Sequence, residues 1–199
     1  MKRTTVVLAL LLLSACSPFT SSERPPDTYR LHGAGLELRG TFAPPGSMVV
    51  AVPSMSGVLA TDRIVLFLGP HTVTEYAGVR WAEPLDELVH RALIEGLEQE
   101  LGVSVDPALL RSASYELRVA VRDFQATYPE GAVPERPPEL AVTLAVVLVE
   151  RRSGQVVAQG RATRRDTARS NNIGAVTAGL NRLLLEAFAD SLAALAEAE

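Results

Sequence analysis

One stripe of apolar residues between positions 85 and 101 constrains this chain more than any other feature. Leu85, Leu88, Val89, Ala92, Leu93, Gly96, Leu97 and Leu101 recur at the i, i+3, i+4, i+7 spacing of a single buried helical face. Asp86, Glu87, Arg91, Glu95, Glu98 and Gln99 take the opposite face. Pro84, with its fixed φ and missing N–H, suits the first helical position, and Glu83 favours the positive end of the helix dipole. Gly102 offers a left-handed stop. A helix that is greasy on one side only must cover something, so the rest of the chain has to supply an apolar surface.

Strands supply it. Thr28-Tyr29-Arg30-Leu31 and Leu36-Glu37-Leu38 are short strand candidates, and Met48 to Val52 is a firmer one, β-branched and ended by Pro53. Ile64 to Leu68 and Thr72 to Tyr76 flank a Gly69-Pro70 turn and predict a hairpin, followed by an elbow that carries Trp81 into the helix. Tyr115, Leu117, Val119 and Val121 alternate with Glu116, Arg118, Ala120 and Arg122, the period-2 mark of a strand with one wet face. A proline-rich loop follows from Tyr128 to Pro138. Leu140 to Val149 is continuously apolar, as an interior strand is, and Ser153-Gly154 turns the chain into Val156 to Thr163. Helical spacing returns from Asn172 to Ala196, with Asn171 or Asn172 as the cap. The expected fold class is α+β: a two-layer sandwich of a mostly antiparallel sheet with two amphipathic helices on one face.

The N-terminus has a different character. Lys2 and Arg3 precede the apolar run Val6 to Leu13, then small residues, which is the order of a secretory signal and too short to span a bilayer. Leu13-Ser14-Ala15-Cys16, holding the only cysteine, resembles the lipobox of bacterial lipoproteins, whose cysteine is acylated and becomes the first mature residue. Without acylation, Cys16 would be a lone thiol exported to an oxidising compartment. One acyl chain anchors weakly; lipoproteins of this type carry three. By the sorting rule of that class, Ser17 after the cysteine implies export to the outer membrane. The domain expectation is therefore residues 1–15 as lipoprotein signal peptide, 16–26 as lipidated cysteine and flexible tether, and 27–199 as the folded domain. The tether Ser17 to Pro26 would hold that domain roughly 15 to 30 Å from the lipid. Losing residues 1–15 removes Lys2 and Arg3 and takes the formal net charge from −4 to −6, a poor fit to nucleic acid.

Few residues suit catalysis. His32, His71 and His90 are not within metal-ligand spacing of one another, and no mature thiol remains to make a zinc site. No Gly-x-Ser-x-Gly elbow surrounds Ser54 or Ser56, and Gly33-Ala34-Gly35 is a turn rather than a nucleotide fingerprint. The expectation is no enzyme, no cofactor and no metal. Asp62-Arg63 stands either as a charged pair fixing the loop against the helix start or as a solvated strand end. Trp81 and Tyr76 are either core anchors or a ligand cage, with core the stronger reading. Arg151, Arg152, Arg161, Arg164, Arg165 and Arg169 gather around the last hairpin. They suit lipid phosphates or an acidic partner face, and equally the charges that keep an edge strand from aggregating.

The lipobox, Tyr29-Arg30-Leu31, Val50-Ala51-Val52-Pro53, Thr61-Asp62-Arg63-Ile64 and Tyr76-Ala77-Gly78-Val79-Arg80-Trp81-Ala82-Glu83-Pro84-Leu85 together resemble the ABC-type transport auxiliary lipoproteins. These are the PqiC-like lipoproteins that accompany MCE-domain lipid transport systems. The resemblance implies a non-enzymatic adaptor on the periplasmic face of the outer membrane of a Gram-negative bacterium. Its partner would be the MCE-domain protein of an ABC lipid transporter, and rings make homo-oligomers an expectation too. Asp62, Arg63, Tyr76, Trp81 and Pro84 fall in the shared motif as structural positions, and the family offers no catalytic residue to carry over. The alternative is an assembly or scaffold lipoprotein of an outer-membrane secretion or cell-wall synthesis complex.

Overall fold

A computed structural model describes residues 25–39, 42–128 and 136–196. The expected signal peptide, Cys16, the expected tether up to residue 24 and the centre of the proline-rich loop lie outside the described residues. Among the described residues eight strands form one sheet: β1 (Asp27–Tyr29), β2 (Met48–Val50), β3 (Ser54–Met55), β4 (Arg63–Leu68), β5 (Thr72–Trp81), β6 (Tyr115–Tyr128), β7 (Glu139–Glu150) and β8 (Val156–Thr167). Helix α1 runs Leu85–Leu101 between β5 and β6, and α2 runs Ile173–Ala196 after β8.

The 14-residue β6 is the shared ladder. Along one edge it pairs antiparallel with β7, which pairs antiparallel with β8. Along its other edge it takes β2, β3 and β4 in succession, all parallel. β4 continues antiparallel into β5, and β1 adds parallel to the far end of β5. The sheet is therefore mixed, which corrects the expectation of a mostly antiparallel one. Hairpin signals reveal antiparallel neighbours that touch in sequence, whereas parallel partners are joined by crossovers that no turn signal marks.

Two further expectations change. Leu36 to Leu38 is loop rather than strand, with Leu36 buried. The elbow at 77–80 is strand: β5 runs through Gly78, at φ 73°, as far as Trp81. Met48 to Val52 shortens to Met48–Val50, and the last strand runs past Thr163 to Thr167. β6 places Leu117, Val119, Val121, Phe124 and Ala126 in the core, opposite Leu148, Val146, Leu144, Val142 and Leu140 of β7. The α1 stripe from Leu85 to Leu97 is buried as its spacing requires. Both helices contribute to one continuous apolar cluster with the sheet. Helix α2 sits very close on β7 and β8, because a Cβ at Gly160 would collide with the Ser191 carbonyl and one at Gly179 with Leu140.

Candidate functional site

The junction between β5 and α1 is tied by backbone groups from distant segments. Pro84 takes the N-cap position, at φ −50° and ψ 140°, one residue earlier than its chemistry suggested, and no side chain caps the helix. The Leu85 N–H donates instead to the Thr61 carbonyl at 3.1 Å, the Trp81 N–H to the Asp62 carbonyl at 2.7 Å, and the Ala82 N–H to the Tyr29 carbonyl at 2.7 Å. Trp81 is 2% exposed and meets Phe124 edge to face at a centroid distance of 6.1 Å, so it is a core anchor. Asp62 and Arg63 lie at the surface of this knot. Arg80 Nη1 reaches Asp62 Oδ2 at 3.3 Å and Arg63 Nη1 reaches Glu75 Oε1 at 2.7 Å. Half-exposed pairs of this kind contribute about 0–1 kcal/mol each, so the backbone bonds and Trp81 do the holding. Glu75 and Arg80 complete the charge set, and strand alternation across the hairpin is the signal that would have found them.

Tyr76 is half-buried, with its hydroxyl 3.1 Å from that of Tyr128, which donates to Asn171 Oδ1 at 2.6 Å. Burial first, and the Tyr128 bond second, push the Tyr76 phenol above its usual range and keep it protonated. It serves as a hydrogen-bonded link between β5 and β6.

The arginines of the last hairpin separate by the face they occupy. Arg151 Nη1 donates to the carbonyls of Arg111 and Ala113, at 3.0 and 3.1 Å, and clamps the loop before β6. Arg164, on the α2 side of β8, pairs with Asp190 of α2, which also holds Arg39 at 3.1 Å. Arg161 and Arg165 fall on the opposite side of β8 and are exposed; among the described residues neither has an ion-pair partner. Arg152 in the turn and Arg169 after β8 are exposed as well. Asp166 has its carboxyl held below the ordinary range by the Thr167 N–H first and Arg182 second.

The histidines stay apart. His32 and His71 are exposed, and His90 Nε2 lies 2.8 Å from the Val50 carbonyl, joining α1 to β2. Among the described residues no three His, Cys, Asp or Glu side chains are grouped to hold a metal, and no helix is long and apolar enough to cross a membrane. A surface cleft of about 400 Å³ lies between the His32–Arg39 loop and α2. Several of its polar groups are internally engaged: Asn181 Oδ1 accepts the His32 N–H at 2.9 Å, and Arg182 pairs with Glu186 and Asp166.

A family model described as ABC-type transport auxiliary lipoprotein component matches residues 29–193. A crystal structure of a Xanthomonas campestris protein superposes with a TM-score of 0.64 at 20% identity, covering 85% of this chain and 90% of that one. A second, described only as an uncharacterized protein, gives 0.60 at 16% identity, covering 76% and 91%. At these identities the likeness shows a shared fold. No curated protein matches the chain.

Proposed function

Because the chain belongs to the ABC-type transport auxiliary lipoprotein family, whose model spans residues 29–193, we infer that it is a lipid-anchored adaptor of an ABC-type intermembrane lipid transport system. In this reading Cys16 carries the acyl anchor, residues 17–26 form the tether, and residues 27–199 dock on an MCE-domain protein at the periplasmic face of the outer membrane. The domain forms a two-layer body with both helices on one face of the sheet, a reading supported by the single apolar cluster that joins them. It works by contact rather than by chemistry, since its polar clusters are spent on internal ties: Arg151 on loop carbonyls, Arg164 on Asp190, Tyr76 on Tyr128.

The observation that carries the proposal is the family match across nearly all of the folded chain, starting a short tether after a lipobox cysteine. Crosslinking in the native envelope followed by copurification tests it. The expected result is an MCE-domain protein together with its permease and ATPase. Recovery of only secretion or cell-wall synthesis proteins would assign the chain to an assembly scaffold instead. Cys16→Ala should release the domain from membranes or leave an uncleaved precursor in fractionation; unchanged lipid labelling would refute the anchor.

A further inference from the structure

The two edges of the sheet are built differently. At one, β1 has three residues, follows Pro25 and Pro26, and covers β5 only from Val79 to Trp81; Gly78, at φ 73°, then lies where the register of β5 against β4 shifts. Short strands, prolines and kinks are the usual ways of blunting an edge. At the other, β8 runs for 12 residues without a proline, and its one irregularity against β7 lies at the hairpin end, between Leu148 and Val149.

Register tells which groups of β8 are free. The Ala168 N–H donates to the Pro138 carbonyl at 3.0 Å, so residues 138 and 168 form a hydrogen-bonded antiparallel pair. The same register joins Leu140 to Asp166, Val142 to Arg164, Leu144 to Ala162 and Val146 to Gly160, which turn their backbone groups toward each other. The alternate residues, Gln159, Arg161, Thr163 and Arg165, therefore point their N–H and C=O groups away from β7. Their side chains are all exposed on the face away from α2. Val156 and Val157, 59% and 43% exposed, add an apolar start to the same edge.

Charge decides what fits there. β8 carries Arg161, Arg164 and Arg165 against one acid, Asp166, in a chain whose net charge is −4. Arg164 is neutralised by Asp190, whereas Arg161 and Arg165 have no ion-pair partner among the described residues. A second copy pairing antiparallel about Thr163 would set Arg161 against Arg165, like charge opposite like charge. In that register the arrangement works against self-pairing while leaving the backbone ladder open, which is selectivity by repulsion.

We propose that the β8 edge is a strand-addition site for an extended acidic segment of a partner protein. The segment pairs with the outward backbone groups of Gln159 to Arg165 and sets two carboxylates, four residues apart and about 13 Å along the strand, beside Arg161 and Arg165. The backbone ladder supplies affinity and the two arginines supply choice of partner. The proposal rests on the adaptor reading only for the existence of a protein partner, not for which one.

The test uses the full chain in detergent and a labelled peptide that alternates valine with glutamate, read by fluorescence anisotropy and hydrogen exchange. Expected are binding that weakens with salt, slowed exchange at the amides of Gln159, Arg161, Thr163 and Arg165, and a loss of roughly tenfold or more in the Arg161→Glu/Arg165→Glu double variant. The same peptide N-methylated at alternate amides keeps its carboxylates but loses its ladder, and should fail to bind. Equal binding of the methylated peptide would overturn strand addition. So would binding only to phosphatidylglycerol vesicles, a dimer that changes on charge reversal, or no binding by any acidic peptide. None of these outcomes depends on the MCE partner, so failure here is distinguishable from failure of the adaptor reading.

Discussion

Helices α1 and α2 are anchored in contrasting ways. Helix α2 carries its own start signal: Asn172 Oδ1 accepts the Ala175 N–H at 2.8 Å, a local cap three residues long. It then lies on β7 and β8 through the gaps left by Gly160 and Gly179. Helix α1 has no side-chain cap, and its first N–H is satisfied by Thr61, more than twenty residues upstream. One helix can begin forming before the sheet exists, whereas the other is completed only when β4 and β5 are in place. A local cap gives a helix autonomy, and a remote one gives the junction its rigidity.

The largest effect should come from the junction. Trp81→Ala removes the ring that packs on Phe124 beneath α1 and should cost about 3–5 kcal/mol in chemical denaturation. An unaltered midpoint would mean that the backbone ties alone hold α1. Gly160→Ala comes next: the added carbon meets a carbonyl of α2 rather than a flexible side chain, and the strain should be about 1–3 kcal/mol. A pair of cap variants then sharpens the contrast. Asn172→Ala should lose about 1 kcal/mol, while Pro84→Ala, which gives up only chain stiffening, should lose under about 1 kcal/mol. If Pro84→Ala proved the more damaging, α1 would be set locally after all.

The same contrast explains what could be read before the structure. Much of what is written in short-range periodicity was legible: the α1 stripe and its Gly102 stop, at φ 67°, the alternation of β6, the β7–β8 hairpin, and a cap at Asn171 or Asn172, which the structure assigns to Asn172. The parallel pairings were not: Met48 to Val52 carries a strand pattern of its own, but nothing local says that it lies parallel beside β6, and the two-residue β3 is defined only by that neighbour. Leu36 misled for a related reason: it is apolar because it fills the gap over Gly96 of α1, not because it belongs to a sheet. The arginines were legible as a group, but their division was not. Whether Arg164 meets Asp190 or Arg165 meets solvent depends on strand parity and on where α2 lies.

The position of β6 has a consequence for biogenesis. A polypeptide emerging from its N-terminus, whether from a ribosome or a secretion channel, delivers β1 to β5 before the rail on which β2, β3 and β4 hang has appeared. Those early segments must wait, with Val50, Ile64 and Trp81 uncovered, and closure of such long loops is a slow step that leaves the nascent chain exposed to misassociation. Pulse-labelled hydrogen exchange during refolding should therefore protect β6, β7 and β8 before β1 to β5, and simultaneous protection would contradict this order. The late half of the gene thus writes the template on which the early half is finished.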